Sequence, residues 1–193
     1  MKVSIKQISG IWDLGYALDK HVLSSDFIGY NEFGHPEFNT TRTEVGESLF
    51  RLKYRGDWSQ IKPLAIELAT RIFPKFKDVG FLVPMPASIA RAKQPVTVLT
   101  IELGKMLGKP VYDNLLIKKS TGKQLKNVNT KAEKLEILKD CFSINDAVEG
   151  AGPLNALLVD DLFATGASLE AACTVMRNYV KIRSVYVATL TWK

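Results

Sequence analysis

Cysteine and histidine are scarce in this chain, two of each among 193 residues. Cys141 and Cys173 lie far apart and neither sits in a Cys-x-x-Cys pair. With only His21 and His35 beside them, a structural zinc site has no ligand set, and the thiols read as small buried side chains. Long apolar runs are also missing: stretches such as 156–159 last a few residues, against the ~18 a membrane helix needs. The opening Met1-Lys2-Val3-Ser4-Ile5-Lys6 alternates like a strand and has no apolar signal core, so the expected location is the cytoplasm, away from membranes. No internal repeat and no low-complexity linker interrupts the chain. A phosphate-binding Gly-x-x-x-x-Gly-Lys-[Ser/Thr] loop is lacking too, since 104–109 has the wrong spacing and runs into Pro110.

What is present is ordinary for a domain with a sizeable core, 46% apolar and 24% charged. The length suits one domain with a modest extension. The net charge of +6 fits a nucleic acid or a small polyanion as partner. Six lysines of that excess, Lys118, Lys119, Lys123, Lys126, Lys131 and Lys134, fall in one stretch.

Periodicity divides the chain into an N-terminal extension, 1–42, and a main domain, 43–193. The extension reads as a strand at 3–8 and then an irregular segment with turn chemistry at Gly29, Asn31, Gly34 and Pro36. Helices are expected at 43–53, behind a Thr41/Glu44 capping box, and at 61–72, 95–107, 131–138 and 168–180. Strands are expected at 80–84, 154–159 and 184–191, with extended chain at 110–117 and a basic loop from 118 to 130. Alternating strands and helices predict an α/β fold: a mostly parallel twisted sheet with helices on both faces. Ligands of such sheets bind at the carboxyl ends of the strands, here the loops after Pro84 and Val159.

The second of those loops carries the chemistry. Leu157-Leu158-Val159 delivers adjacent carboxylates, Asp160 and Asp161, followed by a turn with Thr165-Gly166 at its tip and then a helix. Backbone N–H groups from Ala164 through Thr165, Gly166 and Ala167 to Ser168 have no intrahelical partners, and the helix dipole adds positive potential. A phosphate fits that cup. The two carboxylates would repel a phosphate but accept hydrogen bonds from vicinal sugar hydroxyls, so the string asks for a ribose 5-phosphate. Paired carboxylates repel each other unless something partners them.

LLVDDLFATGAS resembles the phosphoribosyl diphosphate (PRPP) signature of type I phosphoribosyltransferases. Leu82-Val83-Pro84-Met85-Pro86 with Arg91 and Lys93 resembles the strand and pyrophosphate-side loop of the ComF-like branch of that family. Leu52-Lys53-Tyr54-Arg55-Gly56-Asp57 resembles its upstream helix end, and Thr121, Gln124 and Cys141-Phe142 stand where its mobile loop and following strand would be. The resemblance spans about residues 43–193. It implies hydroxyl contacts for Asp160 and Asp161, a 5-phosphate loop at Ala164–Ser168, and Mg²⁺ bound mainly through PRPP, with no protein ligand to the metal assigned. The branch often begins with a four-cysteine module, and residues 1–42 hold no cysteine. Where it carries Arg-Gly-Phe-Asn-Gln, this chain has Ala92-Lys93-Gln94-Pro95-Val96.

Arg91 and Lys93 are the residues expected on the pyrophosphate side, and Gln124 and Lys126 those expected in a loop that closes over the ligand. Lys53 and Arg55, at a helix end, read as complements of the helix dipole. The implied reaction moves a 5-phosphoribosyl group to a nitrogen nucleophile that no residue identifies. Two alternatives stand beside it: a non-catalytic PRPP or nucleotide sensor, and a DNA-uptake accessory whose partners are single-stranded DNA or DNA-processing proteins. The basic stretch lacks interleaved aromatics for base stacking. Nothing in the sequence sets the oligomeric state. Related enzymes acting on hypoxanthine and guanine carry an acid just before the Thr-Gly. Here that position is Ala164, which cannot move a proton, so those bases are not expected as substrates.

Overall fold

In a computed structural model, residues 1–87, 91–119, 130–150 and 152–193 are described. Four strands run side by side because each offers two apolar faces. β8 (Leu154–Phe163) shows why: Ala156 and Leu158 point to one cluster of buried residues, Leu157 and Val159 to another. Such a strand must be covered on both sides. It lies between β9 (Ile182–Trp192) and β5 (Val79–Pro84), parallel to both. On the far side of β9 come β2 (Leu14–Lys20), parallel, and the short β1 (Lys6–Gln7), antiparallel, so the sheet order is β1-β2-β9-β8-β5.

One face is covered by α5 (Ala167–Arg177), whose Leu169, Ala172, Cys173 and Met176 are buried against Phe81, Val83, Ala156 and Leu158. The other is covered by α1 (Glu44–Tyr54), α2 (Ile61–Glu67, continued by a π-helical turn to Ile72) and α3 (Pro95–Leu107). The expected α/β architecture is therefore the observed one. A small ribbon, β6 (Leu116–Lys118) paired antiparallel with β7 (Phe142–Ile144), and α4 (Lys131–Leu138) sit on the α5 side.

Several expectations need correction. The strand at 3–8 shrinks to Lys6–Gln7, since the Ser4 N–H donates to the side chain of buried Asp19 in β2 and not to that strand's backbone. The segment after it is not irregular. It contains β2, inside the main sheet, and a separate hairpin of β3 (Val22–Tyr30) and β4 (Pro36–Arg42). Its turn residues close that hairpin: the Asn31 side chain accepts from the N–H groups of Phe33 and His35. The strands escaped notice because Ser, Thr and Asp occupy them and no residue between 22 and 42 is buried, leaving no alternation to read. β8 does not stop at Val159 but continues to Phe163, because β9 runs beside it as far as Trp192.

The cap of α1 is Thr43, not Thr41. Its Oγ1 accepts from the Gly46 N–H (3.0 Å) and donates to the Lys20 carbonyl (2.6 Å), tying the start of α1 to the end of β2. Losing a cap costs ~1 kcal/mol, and this one also loses the tie to β2. Thr43→Ala should therefore lower stability by about 1–2 kcal/mol, read as a smaller chemical-denaturation midpoint at an unchanged slope.

Candidate functional site

Because β5 pairs with β8 only as far as Pro84–Val159, the next two residues of β8 lie beside an open gap at the sheet's carboxyl edge. Those residues are Asp160 and Asp161. The chain leaving β5 turns away after the Met85 N–H donates to the Val159 carbonyl (2.8 Å). Between the two departing chains lies a cleft of about 250 Å³. Met85, Pro86 and Ala87 form one wall, Arg91 and the start of α3 continue it, and Asp160, Asp161 and Ser168 form the other. The two loops singled out by strand order are thus the two walls of one cleft.

Beyond β8 the backbone bends through Ala164, Thr165 and Gly166 into α5. Gly166 takes φ +78°, a left-handed conformation that suits glycine. No side chain caps the start of α5, so its first N–H groups remain available to a ligand. Behind the turn, Phe163 packs edge-on against Trp12 with ring centroids 6.1 Å apart. Ser168 lines the cleft, Ala164 is exposed, and Gly166 and Ala167 are buried.

The carboxylates are not left facing each other. Lys53, on the last turn of α1, places Nζ 2.6 Å from Asp161 Oδ2. Burial by itself would lower the Lys53 pKa, but Asp161 outweighs it and the net shift is upward. Asp160 Oδ1 accepts the N–H of Asp161 (2.8 Å). Its carboxyl is pushed up to about 7, first by burial and then by the Asp161 charge, with Lys53 and Lys118 pulling the other way. Lys118, at the end of β6, lines the same cleft; its pKa is lowered by burial, with Asp160 opposing.

Lys53 and Lys118 are the site residues that sequence reasoning missed. Lys53 was read as a dipole complement, yet it stands four residues after Leu49 and borders the buried Val45–Leu49–Leu52 stripe. A residue so placed comes down toward the sheet. Arg91 lines the cleft and donates to the Lys53 carbonyl (3.3 Å). Lys93 turns away, its ammonium 4.1 Å above the Trp58 ring. Gln124 and Lys126 lie outside the described residues, as do Thr121 and most of the basic loop. Trp12 donates to the Ile8 carbonyl in the core, and Trp192 lies under Lys6, so these two are packing residues, as Trp58 is under Lys93.

Among the described residues no helix is long and apolar enough to cross a membrane. No protein-family model matches the chain. Competence protein ComFC of Bacillus subtilis is 31% identical over 147 residues, which is 75% of this chain and 58% of ComFC. The chain thus spans less than two thirds of that relative. Adenine phosphoribosyltransferase from Trypanosoma brucei, solved with AMP, pyrophosphate and ribose 5-phosphate, superposes with a TM-score of 0.52. The match covers 97% of this chain and 75% of the enzyme at 11% identity. A Helicobacter pylori xanthine-guanine-hypoxanthine phosphoribosyltransferase gives 0.47 at 19% identity, over 71% of this chain and 76% of the other. The chain is similar to ComFC over three quarters of its own length and has the fold of the type I phosphoribosyltransferases.

Proposed function

We propose that the chain binds PRPP and transfers its phosphoribosyl group to a nitrogen nucleophile with release of pyrophosphate. The observation that carries this reading is the cleft itself. One wall presents two adjacent carboxylates and the uncapped start of α5, a pairing that suits sugar hydroxyls and a 5-phosphate a few ångströms apart. Arg91 also lines the cleft and suits a pyrophosphate. The trypanosomal enzyme of this fold was solved with ligands of the same classes.

In the reaction the bond from the anomeric carbon to the pyrophosphate oxygen breaks, and pyrophosphate leaves with the electron pair. A carbon–nitrogen bond forms, and the nitrogen gives up a proton. Positive charge grows on the sugar ring between these events, and the adjacent carboxylates lie where they would stabilise it. Asp160, with its carboxyl near 7, can hold a proton or release one at neutral pH. Mg²⁺ would neutralise the pyrophosphate, held chiefly by ligand oxygens and water. Asp160 and Asp161 are the carboxylates lining the cleft that could meet it, and Lys53 already occupies one oxygen of Asp161.

A second reading, binding without transfer in a competence-related role that could involve DNA or DNA-processing proteins, draws support from Ala164. Next to the turn it offers no proton-transferring group, and hypoxanthine and guanine are not expected as acceptors. Calorimetry with ribose 5-phosphate, and with PRPP plus Mg²⁺, tests the binding that both readings share. Arg91→Ala should weaken PRPP about tenfold, the worth of one charged hydrogen bond, and leave ribose 5-phosphate unchanged. Equal losses for both ligands would remove Arg91 from the pyrophosphate side. Pyrophosphate release with candidate acceptors then separates transfer from binding alone.

A further inference from the structure

We propose that Lys53 is a positioning residue of this cleft, holding the Asp161 carboxylate in place beside Asp160. The proposal rests on the phosphoribosyl reading only for the identity of the ligand. Lys53 is itself pinned. Leu49 and Leu52 bury its helix face against the sheet, the Thr43 cap fixes the far end of α1, and Arg91 donates to its carbonyl. Its Nζ reaches Asp161 Oδ2 at 2.6 Å with 25% and 15% of the two side chains exposed, so the pair is shielded from water and from salt. The Asp161 backbone is held as well, its carbonyl accepting from Thr191 Oγ1 at 3.0 Å. Two adjacent residues of an extended strand point their side chains in opposite directions; here Asp161 meets Lys53, and Asp160 lies in the field of Lys118.

The charged groups around the pair come from four directions. Lys53 reaches it from α1, Lys118 faces Asp160 from the end of β6, and His21, after β2, lies in the field of Lys53 and Asp161. Arg91 stands across the cleft. Lys53 makes the close ion pair with Asp161. Without it the Asp161 charge would act undamped on Asp160, and the proton shared at neutral pH would be held more tightly.

The test compares the full chain with Lys53→Met and Lys53→Arg, following the carboxyl carbons of the two acids by ¹³C NMR across pH without ligand. Lys53→Met should move the upper titration step of the pair at least one pH unit above that of the unchanged protein, while Lys53→Arg keeps it within a few tenths. An unmoved step overturns the proposal whatever the ligand. Lys53→Gln replaces methionine if that variant does not fold. With ligands, Lys53→Met should weaken ribose 5-phosphate and PRPP by the same factor, about tenfold or more, and Lys53→Arg should recover most of it. A loss confined to PRPP would make Lys53 a direct pyrophosphate contact and overturn the positioning role. If the native protein binds neither ligand, the phosphoribosyl reading falls, and the titration still decides the role of Lys53.

Discussion

A Gly166→Val protein is expected to keep its central sheet and lose affinity for ribose 5-phosphate by about 100-fold. At φ +78° a β-branched residue is strained, and its Cβ would stand 3.0 Å from the Phe163 ring, closer than a resting contact. The backbone relieves this by rotating the turn, which swings the first N–H groups of α5 away from the ligand. Two lost charge-assisted hydrogen bonds amount to about 3 kcal/mol, hence the factor of 100. The fold should survive, since the strain is of order 1–3 kcal/mol and the sheet below the turn is buried on both faces. Circular dichroism and calorimetry on the same sample check both halves. Native affinity in a folded variant would show that the turn does not bind the phosphate.

Opposite changes in stability are expected when the two acids are replaced one at a time. The folded protein raises the Asp160 pKa from 3.8 to about 7, so between those values the native state binds more protons than the unfolded one. Stability contributed by protonated Asp160 is therefore present at low pH and is lost as pH rises toward 7. Three units set a ceiling of ~4 kcal/mol, reduced to roughly 2 kcal/mol for a side chain that solvent still reaches. Asn in its place can still accept the Asp161 N–H. Asp160→Asn should thus raise Tm by about 4–8 °C at pH 8 and leave it unchanged near pH 4. Asp161→Asn instead strands the Lys53 ammonium, and a partly buried pair broken on one side costs about 2 kcal/mol, between the exposed and buried cases. Its Tm should fall by a similar amount at pH 8. Scanning calorimetry of the two variants at both pH values decides the matter; a fall for both would make Asp160 a stabilising group.

Much of the site was legible because its signal is local. The strand, the paired acids, the Thr-Gly turn and the following helix lie within one short stretch, and each step follows from neighbours in the chain. The buried strands β5, β8 and β9 and helix α3 were visible for the same reason: their apolar spacing is unbroken. What was hidden depends on distant partners. Lys53 meets Asp161 across more than a hundred residues, and its place beside the apolar stripe of α1 shows that it comes down toward the sheet but not what it meets there. Strand β2 becomes a strand through β9, at the other end of the chain. The partner that the adjacent acids need comes from α1, out of reach of any local reading. The N-terminal hairpin was misread for a different reason: it is polar along its length, and its turn residues are equally at home in an irregular loop.

That hairpin has a further consequence for the protein in solution. It rises where β2 ends, at the carboxyl edge of the sheet, and holds six exposed large apolar side chains, among them the mutually packed Phe27, Tyr30 and Phe38. Asp26, Glu32 and Glu37 stand among them, and Arg42, at the base, is the only Lys or Arg from 22 to 42. None of those residues is buried, so the core is complete without them. An apolar surface of this kind is where association begins, opposed here by three like charges. Acid, which discharges those carboxylates, should therefore favour association through this surface.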